Sequence, residues 1–177
     1  MLNLFKTFLG SFVLILIFIG CEENTVNPDV NDNNNLRLEK VVEKVTGSGH
    51  FTTAGGDLRT FSFTARKNEV GSVDGRWVRV RRVDGVNVHS QGVVTCFTII
   101  GDQAWLGGYA TQGLLSEPPN NEVAWRVVDN GQGNNSPPDR ISLQFVGAGP
   151  GFVESYCSAT PDAPPLNDIE EGNIKIH

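Results

Sequence analysis

Positive charge is in the minority in this chain. Lys and Arg number 14 against 20 Asp and Glu, a formal net charge of −6. Contacts to phosphate backbones need clustered cations, so nucleic acid is not the expected partner. Cysteine is scarce, with three in the chain, and none stands in a CxxC or CxxH spacing that would hold zinc. HExxH and G-x-S-x-G are missing, as is a glycine loop leading into a helix to cradle phosphate. His50, His89 and His177 lie far apart in sequence. No internal repeat is evident. These absences leave no visible catalytic constellation, metal site or cofactor site, and the expectation is a protein that is not an enzyme.

Long apolar runs are also rare. The one that exists is FLGSFVLILIFIG, residues 8–20, preceded by a single charge at Lys6 and followed by Cys21, Glu22 and Glu23. A permanent span needs about 20 apolar residues. A basic start, a shorter apolar core and a small residue before a cut describe a secretory signal instead. Phe18-Ile19-Gly20-Cys21 resembles the lipobox of bacterial lipoproteins, with Phe18 departing from the usual leucine. The resemblance implies cleavage before Cys21, leaving residues 1–20 as signal peptide, and diacylglyceryl lipid on the Cys21 thiol. Two or more acyl chains anchor a protein stably, where one binds marginally. The implied location is the cell envelope, on the outer membrane, with the domain in the periplasm or on the cell surface.

Removing residues 1–20 takes away one lysine and no acid, so the remainder is one unit more acidic. Residues 22–35, EENTVNPDVNDNNN, are polar and Asn-rich. They cannot bury themselves, so 21–36 reads as lipidated cysteine and flexible tether. Residues 37–177 then form a single domain. With Cys21 assigned to lipid, Cys96 and Cys157 remain as an even pair, which outside the cytoplasm is expected to form a disulfide. Closing that loop stabilises the fold by about 4 kcal/mol in the chain-entropy model.

The domain carries a two-residue rhythm. RTFSFTAR sets Phe61, Phe63 and Ala65 against Thr60, Ser62, Thr64 and Arg66. GRWVRVRR sets Trp77, Arg79 and Arg81 against Val78 and Val80. VAWRVV sets Val123, Trp125 and Val127 against Ala124, Arg126 and Val128. ISLQF sets Ile141, Leu143 and Phe145 inward. Such alternation marks strands with one buried face. Val93–Ile100 is apolar on both faces and reads as a central, doubly covered strand. LRLEKVVEKVT, residues 36–46, fits a helical stripe and a β-branched strand equally. GNIKIH at the end reads as a last short strand. Turn signals fall at Gly55-Gly56-Asp57, Asp74-Gly75, Asp84-Gly85, Gly101-Asp102 and Asn130-Gly131. The longer loops are 113–121 and 131–140. The fold expected is all-β, an antiparallel meander of about eight strands forming a small closed or partly open barrel, with a two-sheet β-sandwich as the alternative.

Two clusters invite a chemical reading. Arg79 and Arg81 share a face with Trp77. On a barrel that face can line a site for an anionic ligand, and the plainer reading is a solvated outer face with cross-strand ion pairs. DNGQGNNSPPD, Asp129–Asp139, is rich in oxygen ligands of the kind calcium takes. Its plainer reading is a long hairpin loop.

The segments GSGHFTTAGGDLRTFSFTAR, GVVTCFTIIGDQAWLGGYAT and VAWRVVDNGQGNNSPPDRISLQF resemble a family of exported bacterial proteins and lipoproteins, over about Gly47 to Thr160. The resemblance implies an exported β-domain and implies no reaction. The function expected is a membrane-anchored lipoprotein whose β-domain binds or supports without catalysing. The alternatives are a ligand-binding barrel and a hydrolase or isomerase using the barrel mouth.

Overall fold

The computed structural model describes residues 40–113, 122–133, 135–147 and 149–177. The signal segment, Cys21, the tether and most of the 113–121 loop lie outside the described residues. Ten strands and one helix follow in order: β1 Val41–Thr52, β2 Leu58–Asn68, β3 Val73–Val83, β4 Val86–Ile100, β5 Gln103–Gly113, β6 Glu122–Val128, β7 Arg140–Ser142, β8 Phe145–Val146, α1 Phe152–Ala159, β9 Leu166–Asp168 and β10 Glu171–Ile176. All pairings are antiparallel in one curled sheet, ordered β10-β1-β2-β3-β4-β5-β6-β7-β9, with β8 also on β6. The barrel-like meander expected from the sequence is therefore present, and the segment 36–46 resolves to strand from Val41 on.

The two ends of that order, β9 and β10, are consecutive in the chain, separated only by Ile169 and Glu170. One stretch thus pairs with β7 at its start and with β1 at its end. Across the remaining seam, carboxylates replace a backbone ladder. Asp139 Oδ2 accepts the Ile174 amide at 2.6 Å and Asp129 Oδ2 accepts the Ile176 amide at 2.9 Å. Unpaired strand amides are costly when buried, and side-chain acceptors satisfy them here.

The interior is filled from every side. Phe61, Phe63 and Ala65 of β2 meet Trp77 of β3, Val94 and Phe97 of β4, Leu106 of β5, Trp125 of β6 and Ile174 of β10. Trp125 packs edge-on to Phe63 at 5.9 Å and to Trp77 at 6.2 Å. Such edge-to-face pairs add about 1 kcal/mol each beyond burial. Gly92 makes room for this arrangement, because a Cβ there would stand 2.7 Å from the Trp77 ring.

A second layer covers the outside of β5 and β6. Phe145, Phe152 and Tyr156 pack on Trp105 and Ala124. The helix approaches so closely that a Cβ on Gly107 would lie 2.7 Å from Val153. Glu122 is buried and accepts the amides of Gly151 and Val153 at 2.8 and 2.7 Å, closing the helix N-terminus with a carboxylate. Cys96 of β4 and Cys157 of α1 form a disulfide, 2.06 Å between sulfurs, which ties this layer to the sheet.

Several expectations need correction. Asp74-Gly75 is not a turn but lies inside β3. The reversal comes earlier, where Asn68 Oδ1 accepts the amides of Val70 and Ser72 and Gly71 takes φ +83°. Val93–Ile100 is not covered on both faces throughout, since α1 reaches only part of β4 and Ile100 is 55 % exposed. The strand buried on both faces is β6. ISLQF is two strands, not one. Val127 pairs with Ile141, but Ala124 pairs with Phe145, so the register slips by one residue at Leu143-Gln144. A slip of one exchanges the faces: Ile141 points into the core and Phe145 joins the outer layer. The same slip between Val94 and Cys96 carries Cys96 out toward α1.

Candidate anion-binding site

Tryptophan decides which face of β3 is inside. Trp77 is 1 % exposed, and strand parity puts Arg79 and Arg81 on its face. The arginines therefore do not stand on a solvated outer face. They point into one end of the barrel. The facing register brings a third: Arg59 of β2 sits opposite Arg81, and Phe61 sits opposite Arg79.

Three guanidinium groups at this end face one nearby carboxylate. Asp57, in the turn before β2, gives Oδ2 to Arg59 Nη2 at 3.0 Å and to Arg81 Nε and Nη2 at 3.0 and 2.8 Å. Thr53 Oγ1 steadies the turn by accepting the Asp57 amide. Arg79 has no acidic partner among the described residues. Its Nε is buried without an acceptor, as is Arg59 Nε. Burial, then repulsion from Arg59 and Arg81, lowers the Arg79 pKa to about 10. That still leaves it charged at neutral pH. Arg59 is also lowered, by burial first and then by Arg81, with Asp57 opposing.

The surroundings of Arg79 are partly apolar and partly under-satisfied. Ser90 of β4 is its register partner, is 2 % exposed, and its hydroxyl has no partner. A cavity of about 10 Å³ adjoins Arg59 and Arg79, walled by Phe51, Phe61, Ile141 and Gln144. Gln144 Oε1 is buried there without a donor. The space holds no more than about one water. Together these groups can bind a small anionic head at the rim, and no whole ligand fits inside.

The other candidates fall elsewhere. Asp129 and Asp139 share the 129–139 loop, but their oxygens are engaged. Asp129 Oδ1 accepts the Gly131 amide at 2.9 Å and Asp139 Oδ1 accepts the Asn130 amide at 2.8 Å, while both Oδ2 atoms hold the seam. That loop works as a structural clasp. His50 lies 3.6 Å from Glu170 on the outer face. Arg126 is paired with Asp162 on the outer layer. Arg59 escaped the sequence reading, although its parity with Phe61 in RTFSFTAR carried the signal. No protein-family model, curated protein or solved structure matches the chain.

Proposed function

We propose that this chain is an exported lipoprotein, anchored to the bacterial cell envelope through lipid on Cys21, whose β-barrel domain has a non-catalytic binding or structural role. The observation that carries the domain's part is its filled interior. Trp77, Trp125, Phe63 and Leu106 occupy the space where a ligand-binding barrel or a mouth-acting enzyme would keep a cavity. The work then falls to the outer surface and the barrel ends. Export is supported by the Cys96–Cys157 disulfide, which suits an oxidising compartment, and by the resemblance to exported β-domain proteins. Residues 1–20 serve as signal, and 21–36 hold the domain away from the membrane.

The test is metabolic palmitate labelling in a bacterial host. The expected result is a labelled chain whose label is lost in Cys21→Ser, together with accumulation of the uncleaved form under globomycin. Equal labelling of Cys21→Ser overturns the anchor. Protease treatment of intact cells then separates surface display from a periplasmic domain.

A further inference from the structure

We propose that the barrel end formed by Arg59, Arg79, Arg81 and Ser90 binds a small oxyanion, the carboxylate, phosphate or sulfate head of a ligand, with Arg79 as the principal donor. The inference rests on the binding role proposed above and is independent of the lipid anchor. Its first support is charge. Asp57 answers Arg59 and Arg81 through one shared oxygen, and no acidic side chain among the described residues answers Arg79. A cation drawn largely out of water, as half-buried Arg79 is, is normally paired, because the lost hydration is otherwise uncompensated.

The second support is a set of unmet hydrogen bonds at this end, two beside the shared cavity and one on Ser90, the register partner of Arg79. Arg79 Nε, Arg59 Nε and the Ser90 hydroxyl are all buried without partners. An oxyanion at the rim matches the planar arginine fork, and one water in the cavity can relay to the buried N–H groups. Asp57 already shows the chemistry, since its carboxylate holds the neighbouring pair. A second carboxylate-like group supplied from outside would complete the same pattern at Arg79.

The third support is access and size. The apolar walls of Phe51, Phe61 and Ile141 exclude water and strengthen the attraction. The adjoining cavity of about 10 Å³ holds no more than about one water, so the head group sits at the rim and not inside. Arg81 is 42 % exposed, so the rim is open to solvent. The remainder of the ligand stays outside the barrel.

The experiment is thermal unfolding of the full chain in detergent, titrated with acetate, phosphate or sulfate against chloride at matched ionic strength. At least one oxyanion is expected to raise Tm by about 3–8 °C near saturation. Arg79→Met is expected to remove the rise, and Arg79→Lys, which keeps charge but loses the fork, to weaken apparent affinity by about tenfold. Arg82→Met, on the outer face, is expected to respond as the parent does. Ranking acetate against the tetrahedral anions separates a carboxylate ligand from a phosphorylated or sulfated one. An equal rise in chloride, no rise with any oxyanion, or a rise that survives in Arg79→Met overturns the proposal. Should Arg79→Met fail to fold, an unweakened response in Arg79→Lys overturns it instead.

Discussion

Two residues along the same face separate two different environments. On β2 the step runs from Phe61 to Arg59, and on β3 from Trp77 to Arg79. In the middle of the barrel the side chains are apolar and closely packed. At the end they are cationic, with one carboxylate among three arginines. The interior middle is organised for stability, since the hydrophobic gain rises with apolar area removed from water. The end gives up part of that gain by keeping Arg79 charged and unpaired. Apolar packing and concentrated charge therefore occupy adjacent layers of one barrel, and substitutions in the two layers should behave in opposite ways.

The largest effect belongs to the middle. Trp125 is fully buried and touches both Phe63 and Trp77. Trp125→Ala is expected to lower unfolding free energy by about 3–5 kcal/mol in urea denaturation. Trp125→Phe should cost much less, because the indole N–H has no acceptor to lose. A small loss in the alanine variant would show that the core is looser than its packing implies. Next comes the one anion of the arginine end. Asp57→Ala removes the partner of Arg59 and Arg81 together and is expected to cost about 2 kcal/mol by the same measurement. A loss near zero would mean that solvent already screens the cluster.

The alternation of RTFSFTAR, GRWVRVRR and VAWRVV was enough to place β2, β3 and β6 and to sort their faces. It did not say which face of GRWVRVRR was inward, because Val78 and Val80 compete with Trp77 for the core, and only the folded sheet ranks them. The anion candidate was therefore legible as a pair of residues and not as a place. The one-residue slips at Cys96 and Leu143 left no mark in the sequence, so the outward turn of Phe145 could not be foreseen. Helix α1 was missed although Val153, Tyr156 and Cys157 stand at helical spacing, since a helix of eight residues is too short for a clear period. Asp139 read as part of a long hairpin loop, with calcium binding as the alternative. Its use as an acceptor for Ile174 depends on a strand 35 residues away.

At the arginine end the sign reverses. Arg79→Met replaces a half-buried cation, without an acidic partner among the described residues, with an apolar chain of similar length. It is expected to raise unfolding free energy by about 1 kcal/mol in oxyanion-free buffer. Destabilisation by that amount would show that the guanidinium is held by contacts stronger than its burial suggests.

The smallest effect is the pH dependence of that gain. The folded pKa of Arg79 lies near 10, below its ordinary value. Folding therefore disfavours the charged form, and the penalty is complete wherever both states are protonated. From about pH 10 up to the ordinary arginine range the folded protein binds fewer protons than the unfolded chain, so stability owed to this group rises with pH. The difference between Arg79→Met and the parent should stay flat from pH 6 to 9 and narrow above pH 10. The full linkage slope is about 1.4 kcal/mol per pH unit. Partial solvent access trims it, so a narrowing of less than about 1 kcal/mol per unit is expected. Measuring the difference between the two proteins cancels the other groups that titrate there. A gap that widens above pH 10 would mean that folding favours the charged form of Arg79, and the contrast between the two layers would then be one of size and not of sign.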